Sequence, residues 1–335
     1  MATCRLHRED YRVGWVCALP VELAAAKVML DERHQDLPRD DNDANLYTLG
    51  RIGEHNVVIA CLPAGQTGNN STATLVVQMK SAFPSVRFGL MVGVGGGVPS
   101  EDADIRLGDV VVSQPYTGHG GVVQYDFGKT TPGKFERTGF LNSPPTILLS
   151  AISRIQADRL IGISRFSEYF SKLTRLPGFT REMAGHDVLF ETDYNHVGGA
   201  ACERCSTERE LKRPPRSDQE IAVHYGTVAS GNQVMRDGAT RDRISQELGG
   251  VLCFEMEAAG MMHSFPCLVI RGICDYADSH KNKKWQAYAA GTAAAYAKEV
   301  LSAIPAPEVA NSRTVEEIIG ENSGWYISQN CFFCR

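Results

Sequence analysis

Apolar residues run through this chain in two alternating periods. Compact runs rich in β-branched residues predict strands over 11–19, 55–62, 87–94, 109–114, 222–230 and 267–275. Between them, apolar positions spaced three and four apart predict helices over 20–30, with Pro20 in the first turn, over 69–83, and over 285–304. Strand and helix in alternation indicate an α/β fold: a single three-layer domain with a mixed central β-sheet flanked by helices. The rhythm breaks over 115–221, where Gly, Pro, Tyr, His and clustered charge surround one helix near 145–157. That stretch reads as a long insertion of loops and short elements, leaving through "RPPRSDQE" at 213–220. The domain then spans 11–304. Residues 305–335 form a tail with one short helix and no other evident place in the core.

Composition narrows the partners. With 335 residues, 43% hydrophobic and 22% charged, the chain has an ordinary globular make-up. A net charge of −5 leaves no electrostatic footprint for nucleic acid or an acidic membrane surface. The opening "MATCRLHRED" is polar, against a secretory signal, and apolar runs of about ten residues are too short to span a bilayer. Most of the ten Cys stand singly in apolar runs, as free thiols do in a cytoplasmic protein. Cys202/Cys205 and Cys331/Cys334 have C-x-x-C spacing.

Three stretches carry candidate chemistry. "VLCFEMEAAGMM" (251–262) sets Glu255 and Glu257 in an apolar run, either at an element edge in water or in a pocket where an acid grips a polar ligand. "GVGGGV" (93–98) follows a strand and reads as a glycine-rich turn open to a small ligand. Pro99 and "SEDAD" follow it in place of the helix a dinucleotide fingerprint needs. "VIRGICDYAD" (269–278) ends an apolar strand at Asp275, where a partly desolvated acid is suited to giving up a proton, while Asp278 fits a capping role. Arg236, Arg241 and Arg243, after Asn232, read as a solvated face. Glu22, Gly93 to Gly97, Asn232 and Asp275 all fall at carboxyl ends of predicted strands, where ligands collect in such sheets.

Together, "GVGGGV", "CFEMEAAG" and "VIRGICDYAD" resemble the purine nucleoside and uridine phosphorylase superfamily, which includes the methylthioadenosine/S-adenosylhomocysteine nucleosidases. The likeness runs from about Val13 to Ile304, and "HYGTVASGNQVMRDGATRDR" is similar to nucleosidase-type domains of fungal NLR-like proteins. The resemblance implies that Glu257 binds the ribose hydroxyls, that Met256 packs on the sugar, and that Asp275 protonates the purine at N7 as the glycosidic bond breaks. Glu255 is expected to be secondary. Val94, Gly95, Gly96, Asn232 and Met235 would line the pocket.

Phosphorylases of the family carry a Gly-Asp-Pro-x-Arg turn whose Arg binds phosphate. Here "ALPVE" puts Glu22 at that place, and the position of a second phosphate Arg reads Gly108. Two unit charges about 4 Å apart interact by roughly 4 kcal/mol in a partly shielded site, so the exchange of Arg for Glu turns phosphate away. A carboxylate orients and deprotonates water instead. The expected activity is therefore hydrolysis of a purine ribonucleoside, adenosine-like, to base and ribose, by a homo-oligomer, as a dimer, without a cofactor. Three alternatives stay open: an ATP or nucleotide N-glycosidase using Lys129, Lys134 and Arg137; a purine nucleoside phosphorylase; and a non-catalytic nucleoside sensor. His186, His196, Cys202 and Cys205 offer a zinc donor set without standard finger spacing, and no metal is required by the chemistry.

Overall fold

The computed structural model describes residues 4–38, 43–216 and 221–319. The strands are β1 (Val13–Cys17), β2 (Glu32–Arg33), β3 (Tyr47–Ile52), β4 (His55–Cys61), β5 (Phe88–Gly97), β6 (Val110–Ser113), β7 (Val122–Gln124), β8 (Gly128–Thr131), β9 (Lys134–Arg137), β10 (Val223–Gly226), β11 (Val228–Ser230), β12 (Cys253–Glu255) and β13 (Cys267–Asp275). The helices are α1 (Pro20–Met29), α2 (Asn69–Ala82), α3 (Thr146–Leu160), α4 (Phe166–Thr174), α5 (Arg181–Ala184), α6 (Gly238–Glu247), α7 (Ala258–Met262), α8 (Gln286–Ser302) and α9 (Ala306–Asn311).

The main sheet runs β10-β6-β13-β5-β1-β4-β3-β2, with β12 joining β5, β11 joining β12, and β7 joining β11. It is mixed. β1 lies parallel to both β4 and β5, and β13 parallel to β5, whereas β3–β4, β6–β13 and β5–β12 are antiparallel. Alternate side chains feed two cores. Val13, Trp15, Phe88, Leu90, Leu268 and Ile270 pack under α1, α3, α4 and α8. Val16, Val58, Met91, Cys267 and Val269 pack under α2 and α7 on the other face. This is the three-layer arrangement that alternating strands and helices imply.

Four readings of the sequence change. The glycines of 93–97 are the extended end of β5, not a turn. The stretch 222–230 breaks at Thr227 into β10 and β11, which pair with different neighbours. Much of 115–221 belongs to the core. Leu148, Ala151, Ile152 and Ile155 of α3, and Phe166, Tyr169, Phe170 and Leu173 of α4, are buried at helical spacing. Only the exposed β8–β9 hairpin and the winding segment of about 175–216 fit the description of an insertion. The tail also docks: Val309 and Val315 are 1% exposed, and the Val315 N–H donates to Val86 O at 2.9 Å. Cys331 and Cys334 lie outside the described residues.

Candidate active site

The carboxyl ends of β1, β5 and β13 meet the turn between β12 and α7 around a cavity of about 200 Å³. Its walls include Glu22, Val94, Gly95, Gly96, Met235, Met256, Glu257 and Asp275. Asn232 is not in the wall. Its side-chain oxygen accepts from Asn69 N at 3.1 Å and its own N–H donates to Asp126 at 2.6 Å, so it braces the start of α2.

Glu22 is at the third position of α1, where a carboxylate commonly reaches back to the helix entrance. Its Oε2 accepts from Ala18 N at 2.7 Å and Leu19 N at 2.9 Å, and its Oε1 from Val94 N at 2.8 Å. An ionised carboxylate has about four acceptor positions, so about one is left to meet a ligand or water. Burial pushes the Glu22 carboxyl up, against the pull of Arg271 and these three amides.

Arg271, in the middle of β13, is the group that the pattern reading missed. It is fully buried and pairs with the Glu255 carboxylate, while its Nη2 lies 3.3 Å from Glu257 Oε2. Glu22 faces the same guanidinium. The signal was in plain view: an Arg in an otherwise apolar strand must meet acids. Glu255 also accepts from the Glu257 N–H at 3.0 Å and from the Ala258 N–H, so most of its acceptor positions are taken up within the protein. Among the described residues Glu257 takes only the Gly68 N–H, at 3.3 Å, and the Arg271 contact. Its other acceptor positions are free for a ligand. Three carboxyls around one cation leave excess negative charge. Burial first, then Glu255 and Glu22, push Glu257 up to about 7 in spite of Arg271.

Asp275 is 4% exposed at the end of β13, just past a break in register between Ile273 and Asp275 that turns the strand end. Its Oδ1 accepts from Ala277 N at 2.9 Å, and Ala277 is held at a left-handed φ of 53°. That conformation costs a non-glycine residue roughly 1–2 kcal/mol, and it aims an amide at the acid. Lys281 Nζ lies 2.6 Å from Asp275 Oδ2. Burial lowers the Lys281 pKa, but Asp275 with the neighbouring Cys274 and Cys253 together turn the net shift upward. Asp278 caps the same loop by accepting from His280 N at 2.9 Å.

The glycines of β5 make this crowding possible. In the ladder Gly93 faces Arg271 and Gly96 faces Asp275. A Cβ on Gly93 would stand 2.5 Å from both Arg271 Nη1 and Glu22 Oε1, and one on Gly96 would stand 2.7 Å from Asp275 Oδ1. The functional side chains occupy the volume that side chains of β5 would fill.

The remaining candidates fall elsewhere. Arg241 is 4% exposed, not solvated, and donates to Tyr276 O at 2.7 Å, buttressing the loop behind Asp275. Arg243 pairs with Glu247 on the surface, and Arg236 is exposed. Lys129, Lys134 and Arg137 ride the exposed β8–β9 hairpin and do not line the cavity. Among the described residues His196, Cys202 and Cys205 gather, and His186 is not among them. No described helix is long and apolar enough to cross a membrane.

Comparison with known proteins places this geometry. The family model for the phosphorylase superfamily matches residues 12–304. A nucleotide-binding leucine-rich repeat (NLR)-like protein of Hyaloscypha variabilis is 48% identical over 327 residues, which cover 94% of this chain and 32% of that protein. The chain thus spans about a third of that relative's length. The 5′-methylthioadenosine/S-adenosylhomocysteine nucleosidase of Mycobacterium tuberculosis is 27% identical over 317 residues, covering 88% of this chain and 96% of its own. The ATP nucleosidase Cap17 of Escherichia coli is 22% identical over 284 residues, covering 83% and 48%. The 5′-methylthioadenosine/S-adenosylhomocysteine nucleosidase of S. pneumoniae, solved with a transition-state inhibitor, superposes with a TM-score of 0.56 at 19% identity over 87% of this chain and 99% of that one.

Proposed function

The chain belongs to the phosphorylase superfamily, and on that premise we propose that its cleft hydrolyses the N-glycosidic bond of an adenosine-like purine ribonucleoside to free base and ribose. The observation that carries this reading is Glu22. It stands buried at the place of the family's phosphate-binding Arg, with three main-chain N–H groups on its carboxylate and about one acceptor position to spare. The cation near it, Arg271, is taken up by Glu255 and Glu257. Inorganic phosphate would enter against net negative charge, whereas water needs only an acceptor.

The reaction is dissociative. The C1′–N9 bond breaks with its electron pair going to the purine, and Asp275 delivers a proton to N7. Lys281, hydrogen-bonded to the same carboxyl, supplies that proton through it and recovers its own from solvent. Glu257 accepts hydrogen bonds from the ribose hydroxyls, and its charge, with that of Glu22, favours the cationic sugar. Water on Glu22 adds to C1′ and gives Glu22 its proton. Met256 and Met235 provide the apolar surface for the sugar and base.

A second reading, 5′-phosphorylated substrates, has an observation of its own. Exposed Arg236, Lys283 and Lys284 line an adjoining cleft that shares Lys281 with the site, and one relative is named an ATP nucleosidase. We place the chain as the nucleoside-processing module of a longer NLR-like protein and take a homodimer as its assembly, which light scattering checks. Chromatography of reactions with nucleosides and nucleotides, ATP included, with and without phosphate, tests the whole reading. Free base and ribose, independent of phosphate, is the expected outcome. Ribose-1-phosphate would make the protein a phosphorylase, and tight binding without release of base would make it a sensor.

A further inference from the structure

The segment that winds from Asp193 to Ser206 has little core of its own, yet it brings chemistry together. His196, Cys202 and Cys205 each offer a donor atom, and these atoms all lie within 4.8 Å of one another. The His196 N–H donates to Ser279 Oγ at 2.9 Å, which stitches this segment to the loop after Asp275. On that loop stands His280, only 9% exposed, with no hydrogen-bond partner among the described residues on either ring nitrogen. Its ring is 5.7 Å from that of His196 and nearly perpendicular to it, and Phe190 stacks on it at 4.1 Å. Asp278 Oδ1 stays 3.8 Å from its Nδ1, too far for a hydrogen bond. A buried imidazole with two idle nitrogens is unfavourable unless something occupies it.

We propose that His196, Cys202, Cys205 and His280 form a structural zinc site that pins the 193–206 segment to the loop carrying Lys281. Two thiolates and two imidazoles suit Zn²⁺ and disfavour hard cations such as Mg²⁺ or Ca²⁺. In a tetrahedral site with Zn–S near 2.3 Å and Zn–N near 2.0 Å, donor atoms lie roughly 3.3–3.8 Å apart, so the gathered triad closes with a contraction of about an ångström. His196 now accepts from Gly198 N at 3.1 Å through Nδ1, and its Nε2 meets Ala201 O at 3.2 Å. Ligation through Nδ1 gives up the Gly198 bond, and the Nε2–H donated to Ala201 O keeps the ring oriented. Each Cys releases its proton to solvent as it takes the metal. No bond to substrate is involved. The zinc would act on catalysis only by steadying the loop that carries Lys281.

The test begins with elemental analysis of the full chain purified without chelator. The expected result is one zinc per chain, absent from a Cys202→Ser/Cys205→Ser variant and retained by Cys331→Ser/Cys334→Ser. Zinc-edge absorption should report two sulfur and two nitrogen neighbours. His280→Ala should weaken zinc at least about tenfold in chelator competition. Should the double variant not fold, cobalt(II) loading of the wild-type chain decides the matter, a thiolate-to-metal charge-transfer band being the expected signature. The proposal falls if reduced wild-type protein takes up neither metal, if the Cys202/Cys205 variant keeps its zinc, or if the two thiols are found joined as a disulfide in freshly isolated protein. Unchanged affinity in His280→Ala removes His280 as the fourth ligand.

Discussion

Replacing Glu22 by Gln changes one atom and one charge in the centre of the cleft. The amide oxygen can still accept from Ala18 and Leu19, but the new NH₂ then confronts the Val94 N–H, which now donates at 2.8 Å. An unsatisfied buried amide costs about 1–3 kcal/mol. Against this, neutralising Glu22 relieves repulsion that raises Glu257. The net change in stability should therefore stay within about 2 kcal/mol, a fraction of the 5–15 kcal/mol typical of a folded domain. Catalysis should respond quite differently. A positioned base contributes roughly 10²- to 10⁴-fold, or about 3–5 kcal/mol of barrier. Base release by Glu22→Gln, followed by chromatography at saturating nucleoside, should fall by that factor, while nucleoside binding by calorimetry persists. A variant that melts like the parent and turns over within about fivefold of it would refute the assignment of Glu22 as the group that activates water.

Three further outcomes follow from the same geometry. Glu257 has an ordinary value of 4.5 and stands at about 7 in the fold, so its contribution to stability is whole below about pH 4.5 and is lost as pH rises through 7. At 1.36 kcal/mol per pH unit this amounts to roughly 3 kcal/mol, and Glu257→Gln should flatten the fall of Tm between pH 5 and 7.5 in ligand-free protein. Gly96→Ala would place a Cβ 2.7 Å from Asp275 Oδ1 and 2.8 Å from the Ala277 Cβ. It should lower stability by about 1–3 kcal/mol by thermal melting and depress kcat more than a substitution outside the cleft that costs equal stability. Lys281→Met should lower kcat roughly 10- to 100-fold with KM little changed, and Lys281→Arg, whose guanidinium keeps its proton, should not restore it; a kcat equal to wild type in either variant would remove Lys281 from the proton path.

The sequence reading was strongest where periodicity and burial coincide. β1, β4 and β13 are uniform apolar runs, and α1 and α8 carry helical spacing with clear ends, so both the layers and their order were legible. It was weakest where tertiary contact decides. Nothing local distinguishes a glycine turn from a glycine strand, because the reason for Gly93 and Gly96 lies in Arg271 and Asp275 on β13. α4 was lost inside polar surroundings although Phe166, Tyr169, Phe170 and Leu173 mark its buried face. In the site, Glu22 and Asp275 could be named from motif position, but their surroundings could not. Arg271 was passed over as part of an apolar strand, Lys281 was not singled out, and Arg241 was read as a solvated cation, since pairing across distant segments leaves no periodic trace.

The kink at Ala277 has a consequence for how this scaffold can be altered. Asp275 takes its direction from a main-chain amide, held by a peptide conformation that Gly and Asn also tolerate. One oxygen of the acid is thus held by the path of the chain itself, while Lys281 holds the other. Cleft residues that do not touch Asp275, such as Met235 and Met256, can be exchanged to admit other bases or sugars while the acid keeps its bearing, and a β-branched residue or proline at 277 would erase it at one stroke.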